Sequence, residues 1–203
     1  PERCKAIEAV AMDMNTAFDL EVQLHCPNAR VIYDLFHVIA KYGREVIDRV
    51  RVDEANRLKE DRPMRRVVKR SRWLLLRNRE NVPLAQRTTL DELLAANRAL
   101  IKAYLMKATL KELWQPTSAL QWRAAWRTWL KMADQSEVEP LKRFAKKLKP
   151  YWRGILARVR WPMHTGQLEG INNRIKVMKR MAYGYRDSSF FFLKIKAAFP
   201  GNP

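Results

Sequence analysis

Apolar positions fall into two short runs near the start of the chain and into helical repeats almost everywhere after them. Residues 6–13, AIEAVAMD, are small and branched side chains ending in an acid, the pattern of a buried strand. Asn15 is a capping residue ahead of a helix through about His25, which Pro27 follows. Residues 29–34, ARVIYD, form a second apolar run that also ends in an acid. Strand, helix, strand predicts a βαβ unit whose two strands are parallel and adjacent. Asp13 and Asp34 then end neighbouring strands, about 5 Å apart, on the edge where sheets of this kind open their clefts.

Beyond Phe36 the repeat is helical to about Arg160, punctuated by Pro63, Pro83, Pro116, Pro140 and Pro150. Helices are expected near 36–60 and 63–78. Thr88 or Thr89 should precede the stretch LDELLAANRALIKAYLMKATLKELW, which is long enough for two helices. Thr117 or Ser118 caps the next one, and residues 138–160 supply one or two basic helices. The expected packing runs through Trp73, Leu75, Leu94, Tyr104, Trp126 and Trp129. Trp122, Trp126 and Trp129 share a face at i+4 and i+7, as a core stripe does; exposed rings at that spacing stack bases, but core is the commoner use.

The last segment reads as a helix from about Gln167, with Gly184 as its C-cap. Leu168, Ile171, Ile175, Met178 and Ala182 occupy one face. Glu169, Asn173, Lys176 and Arg180 line another, so a carboxylate near the helix start is continuous with amide and cationic groups.

Charge adds a partner to this picture. Forty Lys and Arg against 21 Asp and Glu give a net charge of +19, a field that attracts polyanions, nucleic acid foremost. Arg62, Arg65, Arg66, Lys69, Arg70, Arg72, Arg77 and Arg79 lie between Asp61 and Glu80 with no acid among them, and a second basic run extends from Lys142 to Arg160. Any one of these charges serves to solvate a helix; the two clusters together suit phosphate contacts made without reading sequence. Cys4 and Cys26 form no metal-ligand motif, which fits a reducing cytoplasm and excludes a disulfide scaffold. No apolar run reaches membrane-spanning length. The chain opens Pro-Glu-Arg-Cys and enters a strand almost at once, which reads as a fragment lacking its N-terminal portion.

Phosphodiester cleavage with Mg²⁺ needs several carboxylates brought together from different elements. Asp13, Asp34 and Glu169 are the acids in suitable contexts, although a strand-end acid also serves simply to cap the next helix. His37 is likewise either a packed, hydrogen-bonded residue or a participant in the site.

The blocks VAMDMNTAF, CPNARVIYDLFHV and TGQLEGINNRIKVMKRMAYGYRD, with RWLLLRNREN between the second and third, resemble the DDE transposases of the ISL-three group of bacterial insertion sequences. Order and spacing match over essentially the whole chain, and the last block is the most specific. The resemblance implies an α+β, mostly α protein. Residues 1–37 and 161–203 would form part of a ribonuclease-H-like catalytic domain, a βαβ remnant plus a C-terminal helix, and residues 38–160 a large all-helical insertion. It implies Asp13 and Glu169 as catalytic acids holding Mg²⁺ or Mn²⁺, with Asp34 and His37 as a D-x-x-H element at the site. Asn173, Lys176, Arg180, Arg65, Arg66, Lys69 and Arg70 would contact double-stranded DNA at transposon ends, where such enzymes assemble as homo-oligomers. The implied function is metal-dependent DNA strand cleavage and transfer in a bacterial cytoplasm. The first aspartate of the triad has no counterpart here, since Glu2 and Glu8 lie away from a strand's carboxyl end, so the chain alone is expected to be inactive. The alternative is a non-enzymatic DNA-binding product of a truncated element that interferes with intact transposase.

Overall fold

A computed structural model describes residues 2–200. The chain divides into two compact units, residues 1–163 and 164–203. The first unit opens with a short helix, α1 (Glu2–Lys5), then β1 (Ala9–Met12), α2 (Thr16–His25) and β2 (Arg30–Tyr33). The strands pair in parallel with Ala9 beside Arg30 and Met12 beside Tyr33, as the βαβ reading requires. Ile32, Met12 and Tyr33 are buried, and Asn15 caps α2 by accepting the amide of Ala17.

A nearly continuous helix follows: α3 (Leu35–Tyr42), a π-helical turn (Gly43–Ile47) and α4 (Asp48–Arg57). The wide turn rotates the apolar face so that Tyr42, Val46, Ile47 and Val50 all enter the core. Next come α5 (Arg62–Arg70) and α6 (Arg72–Leu76), where one helix over 63–78 was expected. Ser71 separates them, its hydroxyl donating to the Val68 carbonyl and competing with the backbone ladder. The helix α7 (Leu84–Ala96) starts directly after Pro83, so Thr88 and Thr89 lie inside it rather than ahead of it. Proline fixes its own φ and disfavours a helical residue before it, which makes Pro83 the boundary.

Asn97 then caps α8 (Arg98–Glu112) through the Leu100 amide and donates to Glu54, tying α8 to α4. Ser118 caps α9 (Ala119–Asp134), followed by α10 (Glu139–Leu148) and α11 (Trp152–Ala157). No strand interrupts residues 38–160, and no helix among the described residues is long and apolar enough to cross a membrane.

The tryptophan stripe of α9 is core. Trp122, Trp126 and Trp129 are buried, the first two stacked with centroids 5.1 Å apart. The Trp129 indole donates to the Met106 carbonyl at 3.1 Å and its ring meets Phe144, which in turn packs edge-on against Tyr42. Leu75, Leu94 and Tyr104 join this core as expected, but Trp73 does not: it is 66% exposed beneath the Arg72 guanidinium. The short α6 has one inward face, and Leu75 takes it; Trp73, two positions earlier, points the other way. Lys107 is 3% exposed, with its ammonium donating to the carbonyls of Leu75 and Arg77 at the end of α6.

The second unit holds α12 (Gly166–Met181) and α13 (Ser188–Ala198). The end of α12 is a Schellman turn: the Gly184 amide reaches the Lys179 carbonyl and the Tyr183 amide that of Arg180. Gly184 does have positive φ, at 99°, yet the first left-handed position belongs to Tyr183, at φ 50°. Asp187 caps α13 through the amides of Ser189 and Phe190, and Tyr185 stacks on Phe191.

Candidate active site and nucleic-acid interface

Asp13 follows the last residue of β1, and Asp34 the last residue of β2, so the parallel pairing sets both at the same edge of the sheet. Their surroundings differ. Asp34 is buried and caps α3, its carboxylate accepting the Phe36 amide at 2.8 Å. Asp13 is half exposed, and the Nε2 of His37, in the first turn of that same helix, lies 2.6 Å from its Oδ1. The cap fixes the start of α3, the helix carries His37, and His37 engages one oxygen of Asp13. The D-x-x-H spacing is therefore one helical turn that joins the two strand ends.

The sheet behind this edge is held from below. The Tyr33 hydroxyl donates to both carboxylate oxygens of Asp19 on α2, at 2.8 and 2.7 Å. Burial first, and then the Asp19 carboxylate, push the phenol well above its ordinary range, so it stays protonated as a donor. Gly154 on α11 sits so close to β2 that a Cβ there would lie 2.4 Å from the Tyr33 ring. Only glycine permits that approach.

Glu169 stands in the second unit, in the first turn of α12, where a helix N-terminus favours negative charge. Asn173, Lys176 and Arg180 follow it along α12, all exposed, while Ile171, Ile175 and Met178 on the other side are partly covered. Mg²⁺ is commonly held by one or two carboxylates with water completing its shell, and the oxygen donors of Asp13 and Glu169 are of the kind it selects. Within the first unit, no third His, Cys, Asp or Glu among the described residues joins Asp13 and His37 in a metal-binding group.

The basic run on α5 forms a surface. Lys59, Arg62, Arg65, Arg66, Lys69 and Arg70 surround a shallow hollow of about 560 Å³ whose wall is entirely cationic. Asp61 caps the helix through the Met64 amide, and Val68 anchors its inner side. Arg65 is partly committed to the fold, its Nε donating to the Ala55 carbonyl, whereas Arg66, Lys69 and Arg70 project into solvent. Arg72 of the same run is spent on Asp48, which it shares with Arg51. In the later run Lys147 pairs with Glu45 and Arg143 with Glu139.

Two features escaped the sequence. The bond between His37 and Asp13 had a visible signal, since the D-x-x-H turn follows a strand adjacent to the one ending at Asp13. Arg123 and Arg127, flanking the buried tryptophans one turn apart on α9, were legible only once that stripe was assigned to the core.

A family model described as "Transposase", that of the ISL3-type DDE transposases, matches residues 1–195. The transposase for insertion sequence element IS1001 of Bordetella parapertussis is 57% identical over 202 residues, covering 100% of this chain and 50% of that protein. The transposase for insertion sequence element IS1557 of Mycobacterium tuberculosis, in strains CDC 1551 / Oshkosh and ATCC 25618 / H37Rv alike, is 23% identical over 206 residues, covering 91% of this chain and 46% of that protein. The chain thus spans about half the length of the curated relatives it matches. No solved structure matches it. With three motif blocks in family order and the family model matching nearly end to end, the chain belongs to the ISL3 family of DDE transposases.

Proposed function

We propose that these residues supply part of the catalytic centre of a DNA transposase, with Asp13 and Glu169 as the carboxylates that hold Mg²⁺ or Mn²⁺. The observation that carries the reading is the strand-end arrangement: Asp13 leaves β1 half exposed with Oδ1 engaged by His37, at an edge shared with the cap of α3. On this reading the two strands and α12 belong to a ribonuclease-H-like domain formed by 1–37 and 161–203, and 38–160 is the helical insertion.

Each residue then has a stated task. Asp13 and Glu169 offer hard oxygen donors, and a bound divalent ion would activate the attacking oxygen and stabilise the leaving one. His37 orients Asp13 by holding Oδ1, which directs the second oxygen outward. Asp34 acts one step further back, fixing the helix from which His37 projects. Lys176 and Arg180, with Asn173, meet phosphates along the strand that Glu169 addresses, and Arg65, Arg66, Lys69 and Arg70 contact duplex DNA. A homo-oligomer on paired transposon ends is the assembly in which this work is done.

The test is a full-length transposase containing these 203 residues, assayed on its own terminal DNA with Mg²⁺. Asp13→Asn should lower strand cleavage by at least about a hundredfold, since a neutral amide is a poor ligand for a hard cation. His37→Gln, which keeps a donor in place, should retain more activity than His37→Ala. Unaltered cleavage in Asp13→Asn would overturn the assignment, and a full-length protein that binds ends without cleaving them under any metal would favour the non-enzymatic, interfering product instead.

A further inference from the structure

Two hollows of the first unit lie apart from the carboxylates and from α5. The larger, about 1000 Å³, runs along β2 between α2 and α11, with Arg30, Arg123, Arg153, Tyr151, Trp152 and Trp161 among its walls. The smaller, about 330 Å³, is walled by Trp122, Arg123, Trp126, Arg127 and Trp152. Arg123 and Trp152 belong to both, so the two share a wall.

Every polar side-chain group on the wall of the smaller hollow is a donor: two guanidinium groups and three indole N–H groups. A wall that offers donors and no acceptor suits a ligand rich in acceptors. Arg123 and Arg127 are exposed, one helical turn apart, and make no ion pair among the described residues. The larger hollow sets three cations, Arg30, Arg123 and Arg153, against one carboxylate, Asp19, whose charge the neutral Tyr33 hydroxyl leaves in place, so its wall keeps a net positive charge. Arg153 also lies over the half-buried Trp152 ring, 5.6 Å from its centroid. Recessed aromatic rings between cations differ from the projecting charges of α5. A duplex backbone meets the latter; an unpaired strand, whose bases are free to leave the stack, fits the former.

We propose that these joined hollows bind an unpaired DNA strand, with its phosphates on Arg123 and Arg127 and a base against the Trp152 indole. The inference rests on the reading of the chain as part of a DNA-handling enzyme. It adds a second, single-strand contact to the duplex contact of α5.

The experiment titrates the 203-residue chain against a labelled oligothymidylate and a labelled duplex of the same length, over a range of salt. Arg123→Ala/Arg127→Ala should weaken single-strand binding by about tenfold and lower the slope of log affinity against log salt by about 1.4, at roughly 0.7 per lost contact. Duplex affinity should change by less than about twofold. Both side chains are exposed, and an unchanged circular dichroism spectrum confirms that the fold is intact. Arg66→Ala/Arg70→Ala should show the opposite preference, losing duplex and keeping single strand. Equal losses on both ligands in the α9 variant, or no loss on either, would overturn the proposal. If the chain binds duplex but not oligothymidylate, the hollows are misassigned while the DNA-handling reading stands. If it binds neither, both fall.

Discussion

Lys107 shows at the scale of one residue what burial does to a charge. Its stem is enclosed, its ammonium lies 4.5 Å from the Tyr104 ring centroid, and it donates to two backbone carbonyls at 2.7 and 2.8 Å. Burial, followed by the neighbouring charge of Lys111, lowers its pKa from 10.5 to about 8. A neutral amine retains two N–H groups, enough for both carbonyls. The unfolded chain therefore holds the proton more tightly, and between pH 8 and 10.5 the stability that Lys107 contributes rises with pH. The full rise is at most about 3 kcal/mol, at 1.36 kcal/mol per unit. Urea unfolding of the wild type and of Lys107→Met across that range should show a stability difference that shifts in favour of the wild type as pH rises. Comparing the two chains cancels the titration of groups that the substitution leaves alone. A difference independent of pH would mean that Lys107 keeps its ordinary pKa. Its residue type hid this lysine, since lysine is expected in solvent, although it shares a face of α8 with Leu100, Ala103, Tyr104 and Leu110. Tyr183 was hidden for the opposite reason: glycine is the expected left-handed residue, so Gly184 drew the assignment one place too late.

Elements were legible where a local signal and the tertiary environment agreed. Asn15 and Ser118 precede apolar repeats, and each caps the helix it announces. Thr88 and Thr89 carry the same chemistry without the position, since Pro83 had already started α7. The π-helical turn after Tyr42 and the break at Ser71 left no trace in the apolar repeat, because each depends on what packs against it. Gly43, for example, lies where a Cβ would meet the Leu76 side chain at 2.8 Å. Tryptophans make the same distinction in energy. Trp126→Ala removes a buried ring stacked between two others and should cost about 3–5 kcal/mol. Trp73→Ala removes an exposed ring and should cost about 0.5 kcal/mol or less. Thermal or urea unfolding of the two variants measures both, and comparable losses would contradict the assignment of α9 to the core and α6 to its margin.

Over the whole molecule, the strands, the sense of their pairing and the helical character of 38–160 were all readable, because period-2 and period-3.6 patterns are set by which faces are buried. The candidate site was readable in part. Strand ends and the first turn of α12 could be counted off, but which acid caps a helix and which is engaged by His37 depends on side-chain geometry. Net charge pointed to a polyanion without showing where it sits: Arg51, Arg72 and Lys147 are consumed by Asp48 and Glu45, whereas Arg66, Lys69 and Arg70 of α5 remain presented to solvent.

The central claim, that Glu169 holds metal rather than DNA, is tested most directly by Glu169→Gln in a full-length transposase, with cleavage and end binding measured on the same preparation. Loss of the negative charge should reduce Mg²⁺-dependent strand cleavage by at least about a hundredfold. Affinity for duplex ends should stay within about twofold, because no phosphate contact is removed. Cleavage at the wild-type rate, or a loss of binding that accounts for the loss of cleavage, would contradict the account.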